Sequence, residues 1–138
     1  MQYLDPNTAL RTAYLSALAG IGVPGWAKKV PKNAEIPSNY YLITSQTLNR
    51  TEVGKDCFEW LCSIVVDVIY RGTPGYASPV QTEAIEAEVI SAIENGITVA
   101  GFSVKSTDFV DSVNLDEETE TQSIERRVIT YQHWLCQE

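Results

Sequence analysis

The sequence predicts an α+β fold, an antiparallel sheet of about four strands with two helices packed on one face, in the order αββαββ. Three observations carry this. The run Cys57–Arg71, CFEWLCSIVVDVIYR, has the two-residue beat of a strand: Phe58, Trp60, Cys62, Ile64, Val66, Val68 and Tyr70 are all apolar, while Glu59, Ser63, Asp67 and Arg71 alternate with them. Two other segments repeat apolar residues at helical spacing, each opened by a capping residue and a proline. Most of the connections between elements are short, which suits antiparallel neighbours.

The first helix is expected over Asp5–Ala19. Asp5-Pro6 supplies an N-cap and a proline at the first helical position, Leu10, Tyr14, Ala17, Leu18 and Ile21 share one face, and Gly20 ends it. Residues 20–38, GIGVPGWAKKVPKNAEIPS, hold three prolines and three glycines and read as a proline-rich arm or long loop without regular structure. Asn39–Leu48 reads as a strand and NRTEVGK as the turn into the long strand, which GTPGYASP breaks. A second helix is expected over Pro79–Asn95, with Ile85, Val89, Ala92 and Ile93 as its buried stripe and Gly96 as its stop. Two strands, about 97–113 and 123–136, follow, joined by an acidic hairpin tip at about 114–123. All 138 residues are read as one domain.

Composition narrows the function. With 44% apolar residues the chain can bury one core without disulfides or metal. The net charge of −8 lacks the basic footprint of a duplex-binding protein. That charge is uneven: residues 1–55 carry +3 and residues 56–138 carry −11. A subunit charged in this way can attract a copy of itself head to tail. No apolar stretch follows a basic N-terminal region and none approaches the roughly 18 residues of a membrane helix, so the expectation is a chain kept in the cytoplasm with no membrane partner. Three cysteines fit reduced thiols, Cys57 and Cys62 falling on opposite faces of one strand.

Candidate chemistry dissolves on inspection. GIGVPG, Gly20–Gly25, matches G-x-G-x-x-G, but a helix runs in and a proline-rich loop runs out, the reverse of a phosphate-binding turn. Asn49-Arg50-Thr51 is a polar turn rather than a glycosylation site in the absence of a secretion signal. His133 is the only histidine, and a zinc set with Cys57, Cys62 and Cys136 has no C-x-x-C knuckle and needs opposite strand faces to converge. The carboxylates at Asp111, Asp116, Glu117, Glu118 and Glu120 lack the glycine that bends a calcium loop. No catalytic, cofactor or metal site is expected, and no cofactor. What stands out instead is a second face: Leu61, Val65 and Ile69 make the wetter side of the long strand more apolar than solvent requires, the mark of a surface that meets a neighbour or lies under a loop.

The chain resembles the tail terminator (tail completion) proteins of tailed bacteriophages. The resemblance lies in an N-terminal amphipathic helix, the arm VPKNAEIPSNYYLIT running into an aromatic strand, the long strand WLCSIVVDVIYRG, a proline-capped helix, and the closing pair FSVKSTDFVDSVNLDEETETQSIERRVITYQHWL. It covers nearly the whole chain and includes no catalytic signature. It implies a structural virion protein that forms a ring, hexameric by preference, at the head-proximal end of the tail, ending tube growth and offering a surface for head joining. The implied partners are further copies of itself, the tail tube protein and head-completion or neck proteins, with DNA passing through the lumen without specific binding. It further implies a place in the virion, and in the host cytoplasm during assembly. The extended 20–38 segment and the long strand leave open a neck or connector ring between portal and tail; the reading from another class is a small-molecule enzyme or ligand-binding module, which needs a pocket of convergent polar groups that the sequence does not offer, and a third is a small dimeric adaptor pairing through edge strands. Candidate subunit contacts are Leu61, Val65 and Ile69, with Lys28, Lys29 and Lys32 against Asp116, Glu117, Glu118 and Glu120 as unlike patches of a head-to-tail ring.

Overall fold

The alternating run is the central strand of a five-stranded sheet in the computed structural model of the protein, which describes residues 3–53, 58–72 and 79–138. Its strands are β1 (Gly25–Ala27), β2 (Asn39–Val53), β3 (Phe58–Gly72), β4 (Phe102–Glu118) and β5 (Ser123–Gln137), side by side in the order β1-β2-β3-β5-β4. The short β1 runs parallel to β2, and every other pair is antiparallel. Cys57, expected at the head of the long strand, lies outside the described residues.

Two helices cover one face. In α1 (Pro6–Ala17) the Asp5 carboxylate accepts the Asn7 N–H at 3.0 Å and the Thr8 hydroxyl at 2.7 Å, and these bonds hold its pKa below the usual range. A 3₁₀ turn, Leu18–Gly20, completes it. The second helix, α2 (Pro79–Glu94), is followed by Gly96, whose φ of 106° is open to glycine at no steric cost. Leu10 and Tyr14 of α1, Leu18 of the 3₁₀ turn, and Ile85, Val89 and Ile93 of α2 bury against Cys62, Ile64, Val66 and Val68 of β3 and Ile129, Tyr131 and Leu135 of β5. The even-numbered β3 residues are therefore the core face, as the alternation predicts. Each such fully buried aliphatic side chain stabilises the fold by about 1.5–3 kcal/mol.

The sheet departs from the expected about four strands by the addition of β1, inside the segment read as lacking regular structure. Three paired residues need no apolar period, so the pattern could not show them. The pairing depends on close approach: a Cβ on Gly25 would lie 2.0 Å from the Tyr41 ring. Tyr41 donates its N–H to Pro24 O at 3.0 Å, and Lys28 donates to Ile43 O at 2.8 Å. The strand boundaries also move. β2 continues through Asn49–Val53, read as a turn, because that stretch pairs with Phe58–Leu61. β4 begins at Phe102 rather than near 97 and continues through the acidic segment, because Asn114–Glu118 pair with Arg127–Ser123 and the carboxylates stay at an exposed edge. The tip contracts to residues 119–122, closed by Thr119 N–H to Gln122 O at 2.7 Å.

Fifteen residues of β3 extend about 50 Å, against about 24 Å for the sixteen of α2. The strands outrun their helices. Near one end Tyr3 meets Trp60 edge-on with ring centroids 5.6 Å apart, and Leu4 donates its N–H to Gln137 Oε1 at 3.2 Å. The flanking strands absorb the length by bulging, at Ile43/Ser45 and Arg50/Glu52 of β2 and at Val104/Ser106 and Phe109/Asp111 of β4, which adds twist while β3 stays regular.

Candidate assembly interface

The ladder register sorts the side chains of the helix-free face. Leu61, Val65 and Ile69 of β3 lie there with Tyr40 and Leu42 of β2 and Trp134, Thr130 and Arg126 of β5. The face is not uniform. Ile69 is 6% exposed, flanked in register by the buried Tyr40 on one side and Arg126 on the other. Tyr40 is itself met by Trp26 at 6.2 Å and by the Arg71 guanidinium at 5.9 Å. Beside them Asp67, expected on a half-wet face, is only 2% exposed and is paired with Arg126 at 2.5 Å. That carboxylate raises the Arg126 pKa and holds the guanidinium charged. One end of the face is thus covered within the subunit.

Leu61 and Val65 lie toward the other end, half-buried. Trp134, directly opposite Leu61 in the β3–β5 ladder, is 41% exposed. With Leu61 and Val65 it makes the apolar part of the open face. Trp134 escaped the sequence reading although its signal was present, since it alternates with the core residues His133 and Leu135. A second apolar set was missed altogether: Phe109, Val110, Val113 and Leu115 of β4 are all more than two-fifths exposed. Their strand has no clean alternation, because its bulges shift the faces midway.

The charged candidates fall at opposite edges. Lys28, with a φ of 67°, follows β1 directly, and Lys29 and Lys32 come after it, all three exposed. Beside them a groove of about 630 Å³ runs between α1 and the bulge of β2, lined by Arg11, Lys28, Thr44 and Gln46 among others. Asp116, Glu117 and Glu118 stand on β4 and Glu120 in the β4–β5 turn. Four strand spacings of about 4.8 Å separate β1 from β4, so the two sets do not pair within one subunit.

Asp116 also meets Glu125 across the ladder. Burial first, and then the Asp116 side chain, push the Glu125 carboxyl up to about 7. On the same face Arg127 pairs with Glu86 of α2 at 2.6 Å.

The residues weighed for metal chemistry do not converge. His133 is buried between the Tyr14 hydroxyl, 2.5 Å from Nε2, and Thr107 Oγ1, 3.2 Å from Nδ1. Burial lowers its pKa to about 4, so the ring is neutral. Cys62 is its ladder partner on the core face, and burial raises that thiol to about 11. Cys136 pairs with Glu59 and lies on the opposite face. Among the described residues no three metal-ligating side chains gather, and no helix is long and apolar enough to cross a membrane.

Comparison with known proteins gives a fold and no family. No family model matches the chain, and no curated protein matches it. Among solved structures, the fold is similar to a chain from the virion of a native gene transfer agent particle, with a TM-score of 0.77 over 97% of this chain and 99% of that one, at 14% sequence identity.

Proposed function

We propose that the protein is a structural component of a phage-like virion, a ring-forming tail terminator that sits at the head-proximal end of the tail, stops tube growth and presents a surface for head joining. The observation that supports this reading is the end-to-end likeness in fold to a chain of a virion particle. The exposed apolar residues on the open face and on β4 support it, because a subunit that works alone has little reason to keep them wet. We read the chain as non-enzymatic: its only histidine is held neutral between Tyr14 and Thr107 in the core, out of reach of substrate. The ring is taken as a hexamer of identical subunits that contacts tail tube and neck proteins and passes DNA without specific binding, acidic groups at its lumen repelling the duplex. A neck ring between portal and tail is built from the same surfaces and differs by its partners, so binding to purified tail tubes separates the two.

The test compares adjacent residues of β3. Val66 is fully buried on the core face, whereas Val65 is half-buried on the open face between Ser45 and Thr130. Val65→Lys is expected to fold, by circular dichroism, and to lose ring formation and tube binding. Val66→Lys is expected to unfold, since one step along a strand reverses the side. Equal loss of structure in both variants would make the open face internal core and remove the ring's contact surface.

A further inference from the structure

We infer that copies join by laying the β4 edge of one sheet against the β1–β2 edge of the next, so that one antiparallel sheet continues around the ring; this rests on the ring reading and specifies the contact that closes it.

Strand direction permits it. The four long strands alternate, so β2 and β4, at the two ends of the run β2-β3-β5-β4, point in opposite directions. A rotation that preserves strand direction therefore brings β4 of one copy antiparallel to β2 of the next, and the alternation is unbroken. The receiving edge is open: β1 covers β2 only at Tyr41–Ile43, which leaves Ser45–Arg50 unpaired on its outer side among the described residues. The ladder sets Ser45, Val65, Thr130 and Asp111 on one level, and Leu48, Cys62, His133 and Thr107 on another. Thus Thr107–Asp111 of one copy is level with the open part of β2, Ser112–Asn114 is level with β1, and Lys28, which follows β1, comes back toward the level of Asp111.

Side chains choose the occupant. A lone protein blunts a long edge with charge and bulges; β4 has both, yet also leaves Phe109, Val110, Val113 and Leu115 exposed. Two β4 edges pairing with each other would set acid against acid, since Asp111, Asp116 and Glu117 all lie on that strand. The β1 edge carries Lys28 and Lys29, with Arg11 in the groove behind. Complementary charge favours the head-to-tail contact and opposes the symmetric dimer.

The experiment reverses each edge and then both. Asp111→Lys with Glu117→Lys reverses two charges of β4 and takes the strand from −4 to 0; Lys28→Asp with Lys29→Glu reverses the two lysines of the other edge, aspartate being accepted at a φ of 67°. Folding is checked by circular dichroism, and ring mass is followed against concentration. Each edge variant is expected to raise the concentration needed for assembly by at least roughly tenfold, a small demand on paired charges, and the chain carrying all four changes is expected to recover assembly. Val110→Lys, on the bulge beside Asp111, is expected to lose assembly as well. Edge variants and Val110→Lys that assemble like the parent overturn the edge contact and leave the ring standing. A parent that stops at dimers overturns it in favour of β4–β4 pairing. A parent that stays monomeric, alone and on tail tubes, overturns both the contact and the ring.

Discussion

His133 and Glu125 titrate in opposite senses, and the structure sets both signs. The histidine pKa falls from 6.5 to about 4 on folding, so the unfolded chain binds the extra proton in that window and stability rises with pH across it. The Glu125 pKa rises from 4.5 to about 7, so the folded chain binds the extra proton and stability falls as pH climbs through that interval. Where the windows overlap the two contributions offset each other. Glu125→Gln is expected to expose the histidine slope, giving a urea midpoint that climbs from pH 4 to 6.5, where the parent is flatter and then declines toward pH 7. Parallel profiles for parent and variant would show that Glu125 ionises normally. The Asp67–Arg126 pair offers a second test at this scale. Arg126→Met strands a carboxylate whose side chain is 3% exposed, at an expected cost of about 3–5 kcal/mol. Pairing that change with Asp67→Leu is expected to recover most of the loss, because the uncompensated charge goes with it.

At the scale of elements, legibility tracked periodicity. Both helices were visible from their caps and stripes, and β3 from an unbroken alternation that its regular ladder preserves. β4 was poorly read because two bulges break its period, and β1 was missed because three residues have none. The open face was half legible: apolar Leu61 and Val65 signalled it, but burial of Ile69 and Asp67 depends on Tyr40, Trp26 and Arg126, which only the fold brings near. β1 can be tested through Gly25. Gly25→Ala drives a methyl into the ring of Tyr41, which is 3% exposed and has no room to turn, at an expected cost of about 1–3 kcal/mol. The amides of Tyr41 and Lys28, bonded to Pro24 and Ile43, are expected to lose hydrogen-exchange protection together. Asp5→Ala removes two cap bonds from α1 and is expected to cost about 1 kcal/mol in urea unfolding while leaving those two amides protected.

For the whole molecule, the charge split is legible in the chain's two halves but its placement is not, because strand order cannot be read from periodicity. The fold converts a difference between chain halves into a difference between sheet edges, the lysines beyond β1 and the carboxylates along β4. This creates a conflict between ranges. Two subunits of formal charge −8 repel as wholes, while their apposed edges attract. Salt decides which is felt: the screening length is about 30 Å at 0.01 M, comparable to the subunit, about 10 Å at 0.1 M, and about 3 Å at 1 M. At the lowest salt whole-subunit repulsion opposes the edge attraction. Near 0.1 M the repulsion is screened, while charges in contact across a partly desolvated edge still interact. At 1 M that attraction weakens as well. Ring formation is therefore expected to pass through a maximum near the middle of the range, measured as the mass distribution at fixed protein concentration. The four-fold charge-swapped chain should keep the maximum, and either single-edge reversal should lose it. Assembly that strengthens steadily up to 1 M in the parent would assign the contact to apolar surface alone and leave the opposed edges without a part in it.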